Sequence, residues 1–370
     1  MAPRVEPVAA DSDLPARVDV VVIGGGIIGA STAFFLAQKG ISVALCEKGY
    51  VAGEQSSRNW GFCRQQGRDP RELPLIVESL RIWRTIDRTI EGDTGFRQAG
   101  IVYLAEDEKA AAAHEKWLDY ARPYQLDTRR IAGPELATLL PGAARQWPSA
   151  PYTASDGRAE PQKAAPAIAA GIRRLGGKVL TNCAVRGLDI AAGRVAGVVT
   201  EKGTIACSSV VLAGGTWSRL FCRNLEITLP QLKVRGSVMR TSPVANAPEA
   251  SLWAPGFGLR KRLDGGYSVA HGSLTDVDIG PDNILFMKAF WPALRGAHTG
   301  LRLRLGKRFS RSWPCLRAGR STARVRLSAY ACSIPHRRRI CWMPRPQGYA
   351  PPSPRSRMPG SKSAGPVTST

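Results

Sequence analysis

Acidic residues are absent from the last 88 residues of this 370-residue chain, because Asp282 is its last Asp or Glu. Residues 307–370 hold 14 Lys and Arg, nine prolines and ten serines, and they show no sustained helical or strand period. A segment of this composition cannot bury enough apolar surface to fold. We therefore predict a disordered, basic, low-complexity tail over residues 307–370. Only +9 of the net charge of +23 then belongs to residues 1–306.

Metal-binding and disulfide patterns are also absent. None of the eight cysteines forms a C-x-x-C pair, and the four histidines lie far apart. This spacing argues against a metal site and a disulfide framework and is typical of reduced thiols. Residues 1–16 form a polar leader without the apolar segment of a secretory signal. The expectation is a cytoplasmic protein with no bound metal and no transmembrane segment.

The most informative stretch is VDVVVIGGGIIGA, residues 18–30. Its first half is β-branched and continuously apolar, which predicts a strand buried on both faces. From Ile27 the apolar spacing becomes helical, and Gly40 is placed to end the helix. Two other interpretations are a membrane span over residues 20–37 and a glycine cluster that only packs helices. The four glycines and the preceding Asp19 argue against the span.

The glycines between the predicted strand and helix form a G-x-G-x-x-G motif, made by Gly24, Gly26 and Gly29. Such a motif allows a tight turn and a close approach of a pyrophosphate to a helix N-terminus. A second predicted strand, ISVALCEK, ends near Glu47, where an acid is placed to hold a ribose hydroxyl. The stretch therefore predicts a dinucleotide-binding unit.

The order of the other elements predicts an α/β (α+β) fold with two domains. Strands alternate with helices and are followed by a run of strands, which favours a Rossmann-like parallel sheet and a second domain with a mixed or antiparallel sheet. We also predict a helix over residues 73–90 and a hairpin that turns at residues 264–266. The predicted boundaries assign residues 17–95 and 151–225 to the nucleotide-binding domain and residues 96–150 and 226–306 to the substrate domain.

Four motifs occur in a fixed order along the chain. They are GGGIIG with Glu47, GEQSSRNWG, DGRAEPQKAAPAI and VVLAGGTWS. Together they resemble the FAD-dependent amine oxidoreductases of the D-amino-acid oxidase, glycine oxidase and sarcosine oxidase type, over about residues 17–306. The resemblance implies an FAD-binding domain and a substrate domain. We call the GEQSSRNWG motif the serine–arginine loop. The resemblance also implies noncovalent FAD, because this loop has no His at the usual attachment position.

The resemblance further implies a set of cofactor contacts. The glycine loop would hold the pyrophosphate, the acid the adenosine ribose, and the serine–arginine loop the diphosphate and isoalloxazine. The backbone of a valine would contact the adenine. A Gly-Gly segment later in the chain would lie where the sheet again approaches the cofactor. In chain order these residues are Gly24, Gly26, Ile27, Ile28, Gly29, Glu47, Lys48, Ser56, Ser57, Arg58, Asn59, Val185, Gly214, Gly215 and Trp217.

The implied reaction is hydride transfer from the carbon beside a substrate nitrogen to the flavin, with oxygen or another acceptor taking the electrons. The substrate would be a small amine or an amino acid, such as a D-amino acid, glycine or an N-methyl amino acid. Arginine suits a substrate carboxylate because its donors form a bidentate fork. The candidates are Arg64 and Arg260, with Tyr267 and His271 near the second. Among 52 basic residues, a solvated surface charge is the competing interpretation.

The tail departs from the family pattern. Family members end in a Gly-rich segment that covers the flavin, whereas residues after LRLRLGKRF change abruptly to Arg, Pro, Ser and Ala. We hypothesise a shift of reading frame near Phe309, which would leave a catalytically inactive remnant of the fold. Two other classes stay open: an NAD-dependent dehydrogenase, which shares the glycine motif, and a nucleic-acid-binding protein that uses the basic tail. We expect no nucleic-acid partner.

Overall fold

The computed structural model describes residues 3–272, 274–297 and 300–306. The predicted disordered tail and the hypothesised frame shift near Phe309 lie outside these residues. Within them, no helix combines the length and the apolar character needed to cross a bilayer. The glycine-rich stretch is a four-residue strand followed by a twelve-residue helix. Its interpretation as a membrane span is therefore wrong.

The regular structure of the described residues consists of short strands and nine α-helices. The strands are β1 Val20–Ile23, β2 Val43–Cys46, β3 Phe62–Cys63, β4 Arg97–Gln98, β5 Ile101–Tyr103, β6 Arg129–Ile131, β7 Ala150–Thr153, β8 Gly157–Arg158, β9 Lys178–Leu180, β10 Val185–Ala191, β11 Arg194–Thr200, β12 Gly203–Ala206, β13 Ser209–Leu212, β14 Val238–Arg240, β15 Ser251–Ala254, β16 Phe257–Lys261, β17 Tyr267–Ala270, β18 Thr275–Asp278 and β19 Leu301–Arg304. The helices are α1 Ile27–Gln38, α2 Leu73–Trp83, α3 Ile86–Thr89, α4 Glu108–Ala121, α5 Gly133–Leu139, α6 Pro161–Arg174, α7 Ser218–Asn224, α8 Pro281–Leu285 and α9 Met287–Ala297.

Four parallel strands form a central sheet in the order β13-β1-β2-β9. Val22 of β1 packs with helices α1 and α6, whereas Val21 and Ile23 pack against the antiparallel sheet β10-β11-β12. Burial on both faces explains why β1 is continuously apolar. Helices α1 and α6 approach closely at Gly171, where a Cβ would lie 2.9 Å from the Phe34 ring.

A mixed sheet of seven strands has the order β14-β17-β16-β15-β5-β7-β6, in which only β15 and β5 are parallel neighbours. It contains the predicted hairpin as β16 and β17, whose turn is closed by a hydrogen bond from Gly265 N to Arg262 O at 3.1 Å. A parallel sheet and a mixed sheet together confirm the predicted fold class. The predicted boundary between residues 150 and 151 falls inside β7, and the other domain boundaries stay predictions.

One predicted element is divided in the structure. The helix predicted over residues 73–90 is α2 followed by α3, because Thr85 donates from both its backbone N and its Oγ1 to Ile82 O and closes the first helix early. The strands β12 and β13 follow each other closely in the chain but belong to different sheets. Between them, the backbone N of Ser208 and of Ser209 donates to Asp19 O, which turns the chain toward β1.

Candidate cofactor and substrate site

The glycine motif forms the turn from β1 into α1. Gly24 has φ +110°, and a Cβ there would lie 2.5 Å from Ala213 O. A Cβ on Gly29 would lie only 1.8 Å from Gly24 O, so this helix residue must be glycine. Gly26 is the N-cap of α1, and the Ile28 side chain in the first turn is 68% exposed. The first turn of a helix has unpaired N–H groups and a positive dipole end, so this surface suits a phosphate.

The carboxylate of Glu47 is fixed beside the glycine loop. Its Oε2 accepts a hydrogen bond from Gly25 N at 2.7 Å, and its Oε1 accepts one from Gly49 N at 2.8 Å. Glu47 O accepts a further bond from Cys183 N at 2.9 Å, which brings the start of β10 at Val185 close to the acid. Each carboxylate oxygen keeps acceptor capacity for a hydroxyl group. The position suits the predicted role with a ribose.

The serine–arginine loop rests on the start of α1, because Ser56 Oγ accepts a hydrogen bond from Ile27 N at 2.9 Å. The remaining predicted residues of the loop fix its shape through their own side chains. Ser57, Arg58 and Asn59 donate to the carbonyl oxygens of Glu54, Gly53 and Ser56 at 3.2, 2.7 and 2.9 Å. The loop is therefore a preformed surface next to the helix N-terminus.

A third segment reaches the same place from the end of β13. Gly215 has φ +54°, and a Cβ there would lie 3.2 Å from Gln55 Oε1 of the serine–arginine loop. Gly214 precedes it, and the Trp217 ring lies 4.2 Å from Lys48 Nζ. The predicted cofactor residues thus converge at the carboxyl ends of β13, β1 and β2. Glycines with no room for a Cβ, an open helix N-terminus and a fixed acid together fit the dinucleotide part of FAD.

A cavity of about 190 Å³ extends from the cofactor residues Ile27, Ser56 and Asn59 to Arg64 and Arg68. Its other walls come from β3, α2 and the start of α6, and their side chains are largely apolar: Phe62, Cys63, Ile76, Leu80, Trp83, Pro161 and Ala164. Among the described residues that line the cavity, none is acidic. The cavity therefore favours a ligand that combines a negative charge with an apolar part.

Arg64 is a predicted substrate residue that lines the same cavity as the predicted cofactor residues. Its Nη1 donates to Gln66 O, and its guanidinium lies 5.6 Å from the centroid of the Tyr103 ring. Within the described chain, its Nε and Nη2 donate no hydrogen bond. Burial lowers the pKa of this guanidinium below its ordinary value, although arginine stays charged in proteins. Arg64 thus presents charged donors at the cavity wall.

Arg260 occupies a different environment from the one expected of a substrate anchor. Its side chain is 1% exposed, and its Nη1 and Nη2 donate to the Glu160 carboxylate at 2.8 and 3.3 Å. The same guanidinium donates to Ala159 O at 3.1 Å and to Ser268 Oγ at 3.2 Å. The structure therefore places Arg260 in a buried ion pair behind the cavity. Its Nη1 and Nη2 are already used by protein acceptors, whereas its buried Nε has no partner within the described chain.

Tyr267 and His271 accompany Arg260 in the mixed sheet and not in the cavity lining. Tyr267 is buried, and its hydroxyl donates to Pro248 O at 2.8 Å. His271 follows β17, and its Nδ1 accepts a hydrogen bond from Leu274 N at 3.1 Å. Neither side chain is among the described residues that line the cavity. Catalytic roles for these two residues stay predictions.

Sequence reasoning missed a buried polar group directly behind Arg64. The Asp156 carboxylate is fully buried and accepts hydrogen bonds from Gln65 N at 2.8 Å and Gln66 N at 3.1 Å. Gln66 Oε1 in turn accepts a bond from Thr153 Oγ1 at 2.7 Å. These contacts fix the backbone that carries Arg64. The available signal was the pair of glutamines that follows Arg64, which is an unusual choice for a buried segment.

The pKa of Asp156 yields a prediction for stability against pH. Burial raises this pKa from 3.8 to about 6, so the folded state keeps a proton that the unfolded chain has released. The contribution of Asp156 to stability is therefore full below about pH 4 and is lost as the pH rises through 6. We expect D156N to gain about 3 kcal/mol relative to the parent as the pH rises from 4 to above 6, where Asp156 is ionised in both states.

Urea unfolding across this pH range measures the effect. Asp119, an exposed acid on α4, provides the control. The variant D119N should follow the parent at every pH. A constant difference between D156N and the parent from pH 4 to pH 7 would show that the Asp156 carboxyl titrates normally.

The glycine loop, the fixed acid and the cavity that adjoins them are typical of a dinucleotide-dependent oxidoreductase. The model of the DAO family of FAD-dependent oxidoreductases matches residues 19–331, and the chain belongs to this family. FAD, and not NAD, is therefore the dinucleotide, and the resemblance seen in the motifs is confirmed.

Solved structures and curated proteins agree with this assignment. L-Amino acid deaminase from Proteus myxofaciens, solved with anthranilate, has a TM-score of 0.84 and 36% identity over 89% of this chain and 74% of that chain. The deaminase from Proteus vulgaris has a TM-score of 0.79 and 32% identity, over 84% and 73%. Sarcosine oxidase subunit beta from Arthrobacter sp. is 28% identical over 57% of this chain and 54% of its own length. The chain thus spans about half of that relative.

Proposed function

We propose that this protein oxidises the C–N bond of a small amine or amino acid. Bound FAD would accept a hydride from the carbon beside the nitrogen, giving an imine that hydrolyses. The observation that carries the proposal is a cavity that joins the predicted cofactor residues Ile27, Ser56 and Asn59 to Arg64. A substrate held there would lie between the cofactor and a fixed cation.

An amino acid fits the cavity better than a simple amine. Arg64 would bind the substrate carboxylate through Nε and Nη2, while Gln66 and Asp156 hold its backbone in place. The apolar wall formed by Ile76, Leu80 and Trp83 would exclude water and receive the side chain or N-alkyl group. The two solved structures with 32–36% identity are named L-amino acid deaminases. L-Amino acids are therefore added to the candidate substrates.

Anaerobic mixing of the FAD-loaded protein with single compounds tests the proposal. The panel contains L- and D-amino acids, glycine, sarcosine and the corresponding amines without a carboxylate. Bleaching of the oxidised flavin spectrum by an amino acid supports the proposal. The proposal would be contradicted if dithionite reduced the bound flavin and no compound of the panel did. Admission of air afterwards shows whether oxygen or a separate acceptor reoxidises the cofactor.

Replacing Arg64 by methionine should raise the KM for the best amino acid roughly 10- to 100-fold, because a charge-assisted hydrogen bond to the carboxylate is lost. The matched amine without a carboxylate should show no such change. Arg71, which is exposed and paired with Asp69, supplies the control variant R71M. Equal losses for the acid and the amine in R64M would mean that Arg64 supports the fold of the cavity and does not bind the carboxylate.

A further inference from the structure

A second arginine, Arg68, lines the cavity to which Arg64 contributes. A tight turn separates the two residues, because Arg68 N donates to Gln65 O at 3.2 Å and Gly67 has φ +66°, a conformation that favours glycine. Trp117 Nε1 also donates to Arg68 O at 2.8 Å and holds the end of the turn. The fold thus brings two cations to one cavity.

The guanidinium of Arg68 is only weakly paired within the protein. Its Nε is buried and has no hydrogen-bond partner in the described part of the chain. Its Nη1 lies 3.6 Å from Glu72 Oε2, which is beyond hydrogen-bond distance, and the Glu72 side chain is 53% exposed. An exposed pair of this kind contributes little. Because buried donors are normally satisfied, the open Nε indicates an acceptor supplied by a ligand.

The charges around the cavity favour a ligand with two negative groups. Among the described residues that line the cavity, none is acidic. Burial lowers the pKa of the Arg64 guanidinium, and the positive charge of Arg68 acts in the same direction. The buried Asp156 carboxylate is already bonded to the backbone N–H groups of Gln65 and Gln66 behind Arg64. A ligand that brings one carboxylate to each arginine would relieve the repulsion between the two cations.

We propose that the substrate carries a second carboxylate, and that Arg68 binds it while Arg64 binds the first. The substrate class is then a short dicarboxylic amino acid, with the second carboxylate on the side chain or on the nitrogen substituent. A cavity of about 190 Å³ suits a short molecule, because pockets for drug-sized ligands measure roughly 300–1,000 Å³. This inference rests on the proposed function. It makes Arg68 a specificity-determining residue, since a neutral analogue would leave its guanidinium unpaired.

Calorimetric titration of the FAD-loaded protein with succinate and with succinamate tests this role. The two compounds have nearly the same shape, and neither carries an amine that could be oxidised. The parent should bind succinate at least roughly tenfold more tightly, because a charge-assisted pair replaces a neutral hydrogen bond. In R68M the two affinities should become equal. The control R71M removes an exposed arginine that is paired with Asp69 and should keep the preference of the parent.

The variant E72Q distinguishes ligand binding from a structural role of Arg68. It removes the carboxylate that competes with the ligand for this guanidinium. Succinate should therefore bind more tightly to E72Q than to the parent, whereas succinamate should bind equally to both. An unchanged or weaker affinity for succinate would show that Arg68 serves its pair with Glu72. Because Glu72 is exposed, this variant decides the question even if R68M does not fold.

Anaerobic reduction of the flavin locates the second carboxylate. Glutamate compared with glutamine tests a side-chain carboxylate, and iminodiacetate compared with sarcosine tests one on the nitrogen substituent. Faster reduction by either acid, with the preference lost in R68M, supports the proposal. Equal affinities of the parent for succinate and succinamate, or a preference that persists in R68M, overturn the role of Arg68 and leave the proposed function intact. A preference for succinate without reduction by any amino acid overturns the proposed function instead.

Discussion

Replacing Gly29 by alanine is expected to abolish FAD binding and to lower the free energy of unfolding by about 3 kcal/mol. The new Cβ would lie 1.8 Å from Gly24 O, a distance that only a shift of the backbone can relieve. That shift separates α1 from the glycine turn, and the helix N-terminus then no longer faces the phosphates. FAD release after gel filtration and urea unfolding of the apoprotein measure the two effects.

Gly256 gives a matched control, because no atom lies within 4 Å of a Cβ built at this turn. The variant G256A should retain FAD and stay within about 0.5 kcal/mol of the parent, as surface substitutions usually do. If G29A bound FAD as tightly as the parent, the close contact between α1 and the glycine turn would not exist in solution.

Replacing Arg260 by methionine should lower the free energy of unfolding by about 3–5 kcal/mol, because Glu160 would remain as a buried charge without a partner. The Glu160 side chain is 8% exposed and also accepts a hydrogen bond from Leu263 N at 2.9 Å, so it cannot turn easily toward water. The loss should appear as a lower urea midpoint for unfolding.

A double variant tests the cause of that loss. In R260M/E160M the unpaired charge is gone, and we expect this protein to be less destabilised than the sum of the two single variants. Arg122 forms an exposed pair with Asp119, and R122M should cost at most about 1 kcal/mol. A stable R260M with a raised KM for amino acids would instead return Arg260 to the role of a substrate anchor.

The residues replaced in G29A and R260M differ in how far the sequence alone predicts their roles. Gly24, Gly29 and Glu47 lie within one strand–helix–strand unit, and their roles depend on backbone geometry that nearby residues set. A local motif therefore predicts them. The partner of Arg260 is Glu160, 100 residues earlier in the chain, and no local pattern indicates that the two meet. From the sequence alone, Arg64 and Arg260 are therefore both candidates to bind the substrate carboxylate, whereas their burial and partners in the structure distinguish them.

The two lysines that lie beside the Trp217 ring, Lys48 and Lys233, show the same distinction. Lys48 directly follows the ribose acid and was predicted with it. Lys233 follows α7 and precedes β14, in a stretch with no hydrophobic period, so only tertiary packing places it over Trp217. Asp156 and Gln66 were missed for a related reason, since their burial comes from the packing of β7 and β8 against the loop that carries Arg64.

The strand order of the parallel sheet has a consequence for the newly synthesised chain. β1 ends at Ile23, but its neighbour β13 begins at Ser209, close to the end of the family motifs. A ribosome that adds ~5–20 residues per second needs about 10 to 40 seconds to cover this interval. For that time one edge of β1 has no partner and is open to pairing with another nascent chain. The glycine turn is thus translated near the start of the chain, and the neighbouring strand β13 is added only after the intervening residues have been synthesised. Pairing of the open β1 edge with another chain during that interval would lower the yield of cofactor-competent protein.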